Sequence, residues 1–292
     1  MMKNIKPFYL IFKKQALLCL VLGFFDINFI YSQVPDQNEN LAWENPFKKD
    51  KVDEAIEKGI RFILKKQNED GSIHDRGKQT AMSALSLMAM AAVGHQPIHP
   101  NEFGRAMKNA LNFILKDENQ DDQGYFGNKN GGRMYGHGIV TLTLSEMLGM
   151  GVDKSTDKKI KDQCQEAINL ILRAQKVKKS PAQQGGWRYN PDARDADLSV
   201  SVWQLMALRS AKNSGLEVPS SSISDAIAYL ERSYKSKISE DGSPTNKKSG
   251  FSYQPGGSAE YTTSSAGLLA MQVCGQYESP FVLGAADWLR EN

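Results

Sequence analysis

The sequence predicts an all-α protein of αα-hairpin repeats, arranged as an inner and an outer helix layer that curves or closes upon itself. Three observations carry that prediction. Amphipathic helices recur at near-constant spacing, apolar helices alternate with them, and a glycine–aromatic element stands between the two in each unit. The composition agrees. A chain of 292 residues, 40% apolar and 24% charged, has ample material for a core and excludes disorder, collagen and a small disulfide scaffold.

The amphipathic set reads GIRFILKKQ from Gly59, ALNFILKDE from Ala110, AINLILRAQ from Ala167 and AIAYLERSY from Ala226, with a fifth copy, AADWLREN, from Ala285. Their starts lie 51, 57, 59 and 59 residues apart. Ile56, Ile60, Ile63 and Leu64 fall at helical spacing with Lys and Glu between them, which predicts helices with one wet face. The second set spans Thr80–Gly94, His137–Gly151, Leu198–Ala211 and Thr262–Gly275, and is apolar or small on nearly every side. Such helices are expected to be buried all round, so they form the inner layer. Between the sets lie Gly71-Ser-Ile-His74, Gly124-Tyr-Phe-Gly127, Gly186-Trp-Arg-Tyr189 and Gly250-Phe-Ser-Tyr253. A glycine before a large ring suits a tight turn whose side chain packs across to the next hairpin.

Gln67-Asn-Glu-Asp-Gly71 and Gln184-Gly-Gly-Trp187 resemble the glutamine–glycine–aromatic repeats of squalene–hopene cyclases and protein prenyltransferase β-subunits, the terpenoid-cyclase α/α-toroid superfamily. The stretches Gly185–Ala211 and Met134–Gly151 are similar to exported bacterial prenyltransferase/squalene-oxidase repeat proteins. The resemblance covers about residues 52–292 and implies an α/α toroid. It is specific for fold and much less so for activity. Four hairpins and the start of a fifth are present, fewer than a closed toroid of this kind carries. The array is therefore expected to be open, or to be completed by a second copy or another partner.

Upstream of the repeats, residues 1–32 read as an export signal: Lys3, Lys6, Lys13 and Lys14 precede the apolar run Ala16–Phe25. That run is too short to span a bilayer, so membrane contact is expected only through an uncleaved signal, and the protein is expected to be periplasmic or secreted. Residues 33–51 read as a linker. Without the signal, bases and acids balance, which gives no case for nucleic-acid binding. Cys164 and Cys274 then remain, without zinc spacing and too few for a disulfide framework.

Connections from outer to inner helices are long, about residues 68–79, 117–135, 176–197 and 235–261, whereas the return connections are short. Long loops on one face of a helical scaffold carry binding work, and the inner-helix N-termini point toward that face as an anion-favouring rim. Tyr135, Trp187, Tyr189, Arg194, Trp203, Tyr253 and Tyr261 are the candidate ligand-binding residues, with the aromatic faces suited to positive charge. Asp195, Asp197 and His137 are the catalytic candidates. Two carboxylates so close raise one another's pKa, and one held protonated could donate to an alkene or epoxide.

Squalene–hopene cyclases use Asp-x-Asp-Asp for that step. Here Asp195-Ala-Asp197 runs into Leu198, and the last acid is missing. Asp197 has a second reading as the N-cap of the helix that follows it. His137 is expected to reach the loop mouth as an acid/base group or, alternatively, to hydrogen-bond within the loop. Glu146 is an anomaly in an otherwise apolar helix.

No metal or cofactor is implied. Three functions stand: a binding protein for a hydrophobic, isoprenoid-like molecule; an active terpenoid-cyclase-like or carbohydrate-active enzyme using Asp195, Asp197 and His137; and a protein-interaction scaffold.

Overall fold

The computed structural model describes residues 49–128 and 131–292, so the expected export signal over residues 1–32 and nearly all of the expected linker lie outside the described residues. Among the described residues nine α-helices follow in chain order: α1 Lys51–Lys66, α2 Gln79–Ala92, α3 Glu102–Ile114, α4 Arg133–Glu146, α5 Lys154–Lys176, α6 Leu198–Asn213, α7 Ser220–Ser233, α8 Tyr261–Val273 and α9 Pro280–Glu291. Among the described residues β structure is limited to isolated bridges, such as Gln67 with Ile73 and Trp187 with Asp197. The protein is all-α.

The inner helices α2, α4, α6 and α8 pack side by side in that order. The outer helices α3, α5, α7 and α9 each pack mainly on the inner helix that precedes them in the chain. Burial follows from this layering. Helices α4 and α6, with an inner neighbour on either side, are dry along almost their whole length. The expectation of complete burial fails for α8, which has one inner neighbour and exposes Thr262 and Ser265. Outer helices bury one stripe, as in α5, where Ile160, Cys164, Ala167, Ile168 and Ile171 face inward.

The hairpins are joined by one latch, repeated with small changes. Gln67, Gln120 and Gln175 each donate both amide hydrogens of the side chain: to Gly71 O and Ala106 O, to Gly124 O and Gln163 O, and to Gly185 O and Ser222 O, at 2.8–3.1 Å. Each glutamine, at or just beyond the end of its own outer helix, thus ties that stretch of chain to the loop glycine and to the next outer helix. The glycine is required there. Gly71, Gly124 and Gly185 have φ of 86°, 86° and 94°, and a Cβ would lie 2.1–2.5 Å from a carbonyl oxygen of the next outer helix. In the last latch Tyr234 substitutes, its hydroxyl accepting from Ser249 N at 2.9 Å.

This geometry corrects the register of the glycine–aromatic element. The equivalent residues are Ile73, Phe126, Trp187 and Phe251, because the backbone N–H of each donates to one inner-helix side chain: Ser83 Oγ, His137 Nδ1, Ser201 Oγ and Ser264 Oγ, at 2.8–3.2 Å. The latch glutamine of the third repeat is accordingly Gln175, not Gln184. Gln184 accepts from Lys179 N and donates to Gln175 O.

The second inner helix also begins four residues earlier than the sequence suggests. Gly136, just before the expected start, lies inside α4 together with Gly138. They are small because neighbours come close: a Cβ on Gly138 would lie 2.5 Å from Gln204 Nε2 and 3.0 Å from Trp203 Cβ of α6.

Candidate functional site

Long loops deliver several of the expected residues to the N-terminal ends of α4 and α6. The loop before α6 is pinned by Trp187, whose N–H reaches Ser201 Oγ and whose indole Nε1 donates to Ile171 O at 2.9 Å. Trp187 is fully buried, so its expected place in a ligand wall is corrected: it is a core staple. The segment is extended, so its side chains alternate. Trp187 turns inward, and Arg188 turns the other way.

Arg188 is the centre of the cluster. Its Nη1 lies 3.2 Å from Asp197 Oδ2 and its Nε 3.4 Å from Asp195 Oδ2. Its guanidinium sits 4.6 Å from the ring centroid of Tyr189 and 5.5 Å from that of Tyr253. Burial would lower the Arg188 pKa, but Asp197, Tyr253 and Asp195 outweigh it and the pKa is raised. The cation is permanent.

Asp197 is buried and spends its oxygens structurally. It caps α6 by accepting from Val200 N at 2.8 Å, takes the Ser199 hydroxyl at 2.6 Å, and anchors Arg188. Asp195 is half-exposed and touches the same arginine. The two carboxylates therefore bracket a guanidinium, with no free acid aimed at a cavity.

The hydroxyl network has a defined polarity. An arginine only donates, so Tyr253 accepts from Arg188; the Tyr189 and Tyr253 hydroxyls bond to each other at 2.5 Å with one of the two hydrogens, which leaves the pair one hydrogen unspent. Ser199 gives its hydrogen to Asp197, so Tyr135 donates to Ser199 at 2.5 Å and keeps its oxygen lone pairs. The Tyr135 and Tyr189 rings meet at 5.9 Å. Burial raises the pKa of Tyr135 and of Tyr253, the latter helped by Tyr189, and both stay protonated at neutral pH.

Below this rim runs a stripe in which Tyr135, Glu146, Ser199 and Trp203 are half-buried and the rest buried. Tyr135, Ile139, Leu142 and Glu146 on α4 and Ser199, Trp203, Met206 and Ser210 on α6 share the spacing i, i+4, i+7, i+11. The stripes meet at both ends, Tyr135 on Ser199 and Ser210 on Glu146. Eleven residues of helix make the apolar interval about 16 Å long. Glu146 closes it, its pKa raised by burial against the opposing Ser210 hydrogen bond.

The rest of the expected site is placed elsewhere. His137 does not reach the mouth. It is fully buried, accepting from Phe126 N on Nδ1 at 3.2 Å and donating from Nε2 to Ala167 O at 3.1 Å, and burial pushes its pKa down to about 4. It fills the latch position held by serine in the other repeats. Arg194 is exposed, and Tyr261 stands 60% exposed at the first turn of α8, outside the cluster. The N-terminal N–H groups are not an open anion rim either: Met134 N donates to Tyr189 O and Leu198 N to Tyr253 O.

Arg188 and Ser199 belong to the site without having been singled out in the sequence. The signal for Arg188 was its alternation with Trp187 in Gly-Trp-Arg-Tyr. Cys164 and Cys274 are free thiols. Among the described residues no group of three His, Cys, Asp or Glu is arranged to hold a metal, and no helix is long and apolar enough to cross a membrane.

Compared with known proteins, the chain matches no family model, and no curated protein matches it.

Proposed function

We propose that this is an exported repeat protein of the squalene-cyclase and prenyltransferase type that binds a small molecule with an apolar body, without acid-initiated cyclisation or zinc chemistry. The carrying observation is Arg188. A cyclase must stabilise a carbocation on aromatic faces, and here a permanent guanidinium already lies on two of them, held by both acids that would otherwise serve as proton donor. In this reading half-buried Trp203 lies against the apolar body, beside the almost fully buried Ile139, Leu142 and Met206, and the tyrosine–arginine rim meets its polar end. Protein purified after export, extracted with organic solvent and weighed in parallel by native mass spectrometry, tests this. A stoichiometric lipid or isoprenoid supports the binding role. An empty, monodisperse protein that also fails to take up added alkyl-chain ligands overturns it.

A further inference from the structure

We propose that the rim selects an uncharged, hydroxylated head group, a glycosyl head on an apolar chain, and disfavours phosphate and ammonium heads. The inference rests on the binding role above and names the ligand class that the rim would accept.

Three features of the rim converge on it. The first is charge: Asp195 and Asp197 both pair with Arg188, so the guanidinium is already neutralised and is not free to hold a phosphate. The donors a phosphate would use are also taken. Met134 N and Leu198 N of the inner helices are bonded to Tyr189 O and Tyr253 O, and Val200 N to Asp197. The second is aromatic occupancy. An ammonium would seek the tyrosine faces, but the chain's own Arg188 already covers Tyr189 and Tyr253. The third is the polarity of the hydroxyl network. It leaves one phenolic hydrogen on the Tyr189–Tyr253 pair and one phenolic acceptor on Tyr135, whose ring centroid lies 5.9 Å from that of Tyr189. Adjacent hydroxyls of a sugar ring satisfy a donor and an acceptor together, since each hydroxyl both gives and takes a hydrogen bond. Trp203, one turn beyond Ser199 on α6, adds an apolar surface beneath.

The test compares heads on one chain. Residues 33–292 are titrated calorimetrically, below the critical micelle concentration, with dodecyl maltoside, dodecyl phosphate, dodecyltrimethylammonium and dodecanol, and separately with free maltose. The expected result is at least tenfold tighter binding of the maltoside than of either charged ligand. The double variant Tyr189→Phe, Tyr253→Phe, which removes both candidate donors, should lose about tenfold of the maltoside affinity and leave dodecanol unaffected. Asp195→Asn, which removes one negative charge, should improve dodecyl phosphate selectively.

Equal affinity for all four heads would overturn the head-group inference while leaving the binding role intact. A preference for phosphate or ammonium would overturn it as well. Binding of none of the ligands would defeat the binding role itself. Maltose binding as tightly as its dodecyl form would move the site from a sugar-headed lipid to a free sugar and overturn the need for the chain.

Discussion

Acid should weaken this protein through His137. The imidazole is fully buried, neutral, and engaged at both nitrogens, with a pKa pushed down by burial from 6.5 to about 4. Its folded pKa lies below its unfolded one, so the stability it contributes is present above pH 6.5 and is lost as the pH falls toward 4. Integrating a shift of that size between pH 7 and pH 4 gives a loss of about 3 kcal/mol. That is a large part of an ordinary domain's stability, and it should lower a urea midpoint by about 1 M.

The comparison that isolates the effect is His137→Asn, because the asparagine oxygen can accept from Phe126 N where Nδ1 does now. The variant loses ring packing at every pH, so its absolute stability is lower. Its pH profile should be flatter, and the gap to the parent chain should narrow by about 3 kcal/mol from pH 7 to pH 4. Parallel profiles for the two proteins, measured by urea unfolding with circular dichroism, would refute the argument. They would mean that the ring is charged without penalty in the fold, and therefore wet.

Other perturbations read other parts of the molecule. Gln175→Ala strips Gly185 O and Ser222 O of their donor in a buried place and should cost about 2–4 kcal/mol in denaturant unfolding. Gln184→Ala should cost less, since it leaves both Gln175 latch bonds in place. Glu146 has its folded pKa raised above 4.5, so it stabilises at low pH and that contribution disappears as pH rises through the folded pKa. Glu146→Gln should therefore gain on the parent between pH 4 and pH 7, as unfolding midpoints at the two values would show. Asp197→Ala should lose the cap of α6 and the anchor of Arg188 together, about 2–3 kcal/mol, whereas Asp197→Asn should keep most of the cap and lose less by thermal or urea unfolding.

The helices were legible because their pattern is local. Ile160, Cys164, Ala167, Ile168 and Ile171 recur at helical spacing along α5, and the alternating apolar segments announce a second layer. The cap role of Asp197 was legible for the same reason, since an N-cap is read from the residues immediately after it. The site was legible in part. Tyr135, Tyr189, Tyr253, Asp195 and Asp197 do come together, but Trp187 and His137 do not belong with them. In isolation a buried histidine and a catalytic one have the same sequence signature, and only alignment of the latch with Ser83, Ser201 and Ser264 separates them.

Sequence by itself determined that the chain is helical, that its units repeat, and where the long loops fall. Hydrophobic period and glycine placement act over a few residues and need no knowledge of neighbours. The tertiary structure decided which glutamine latches each hairpin, that Gly136 and Gly138 admit a close helix neighbour, and that Arg188 rather than Arg194 meets the two acids. Those are contacts between residues from about 10 to about 70 positions apart. Their energies depend on distance and burial in the folded chain, and neither quantity is written in any short stretch of it.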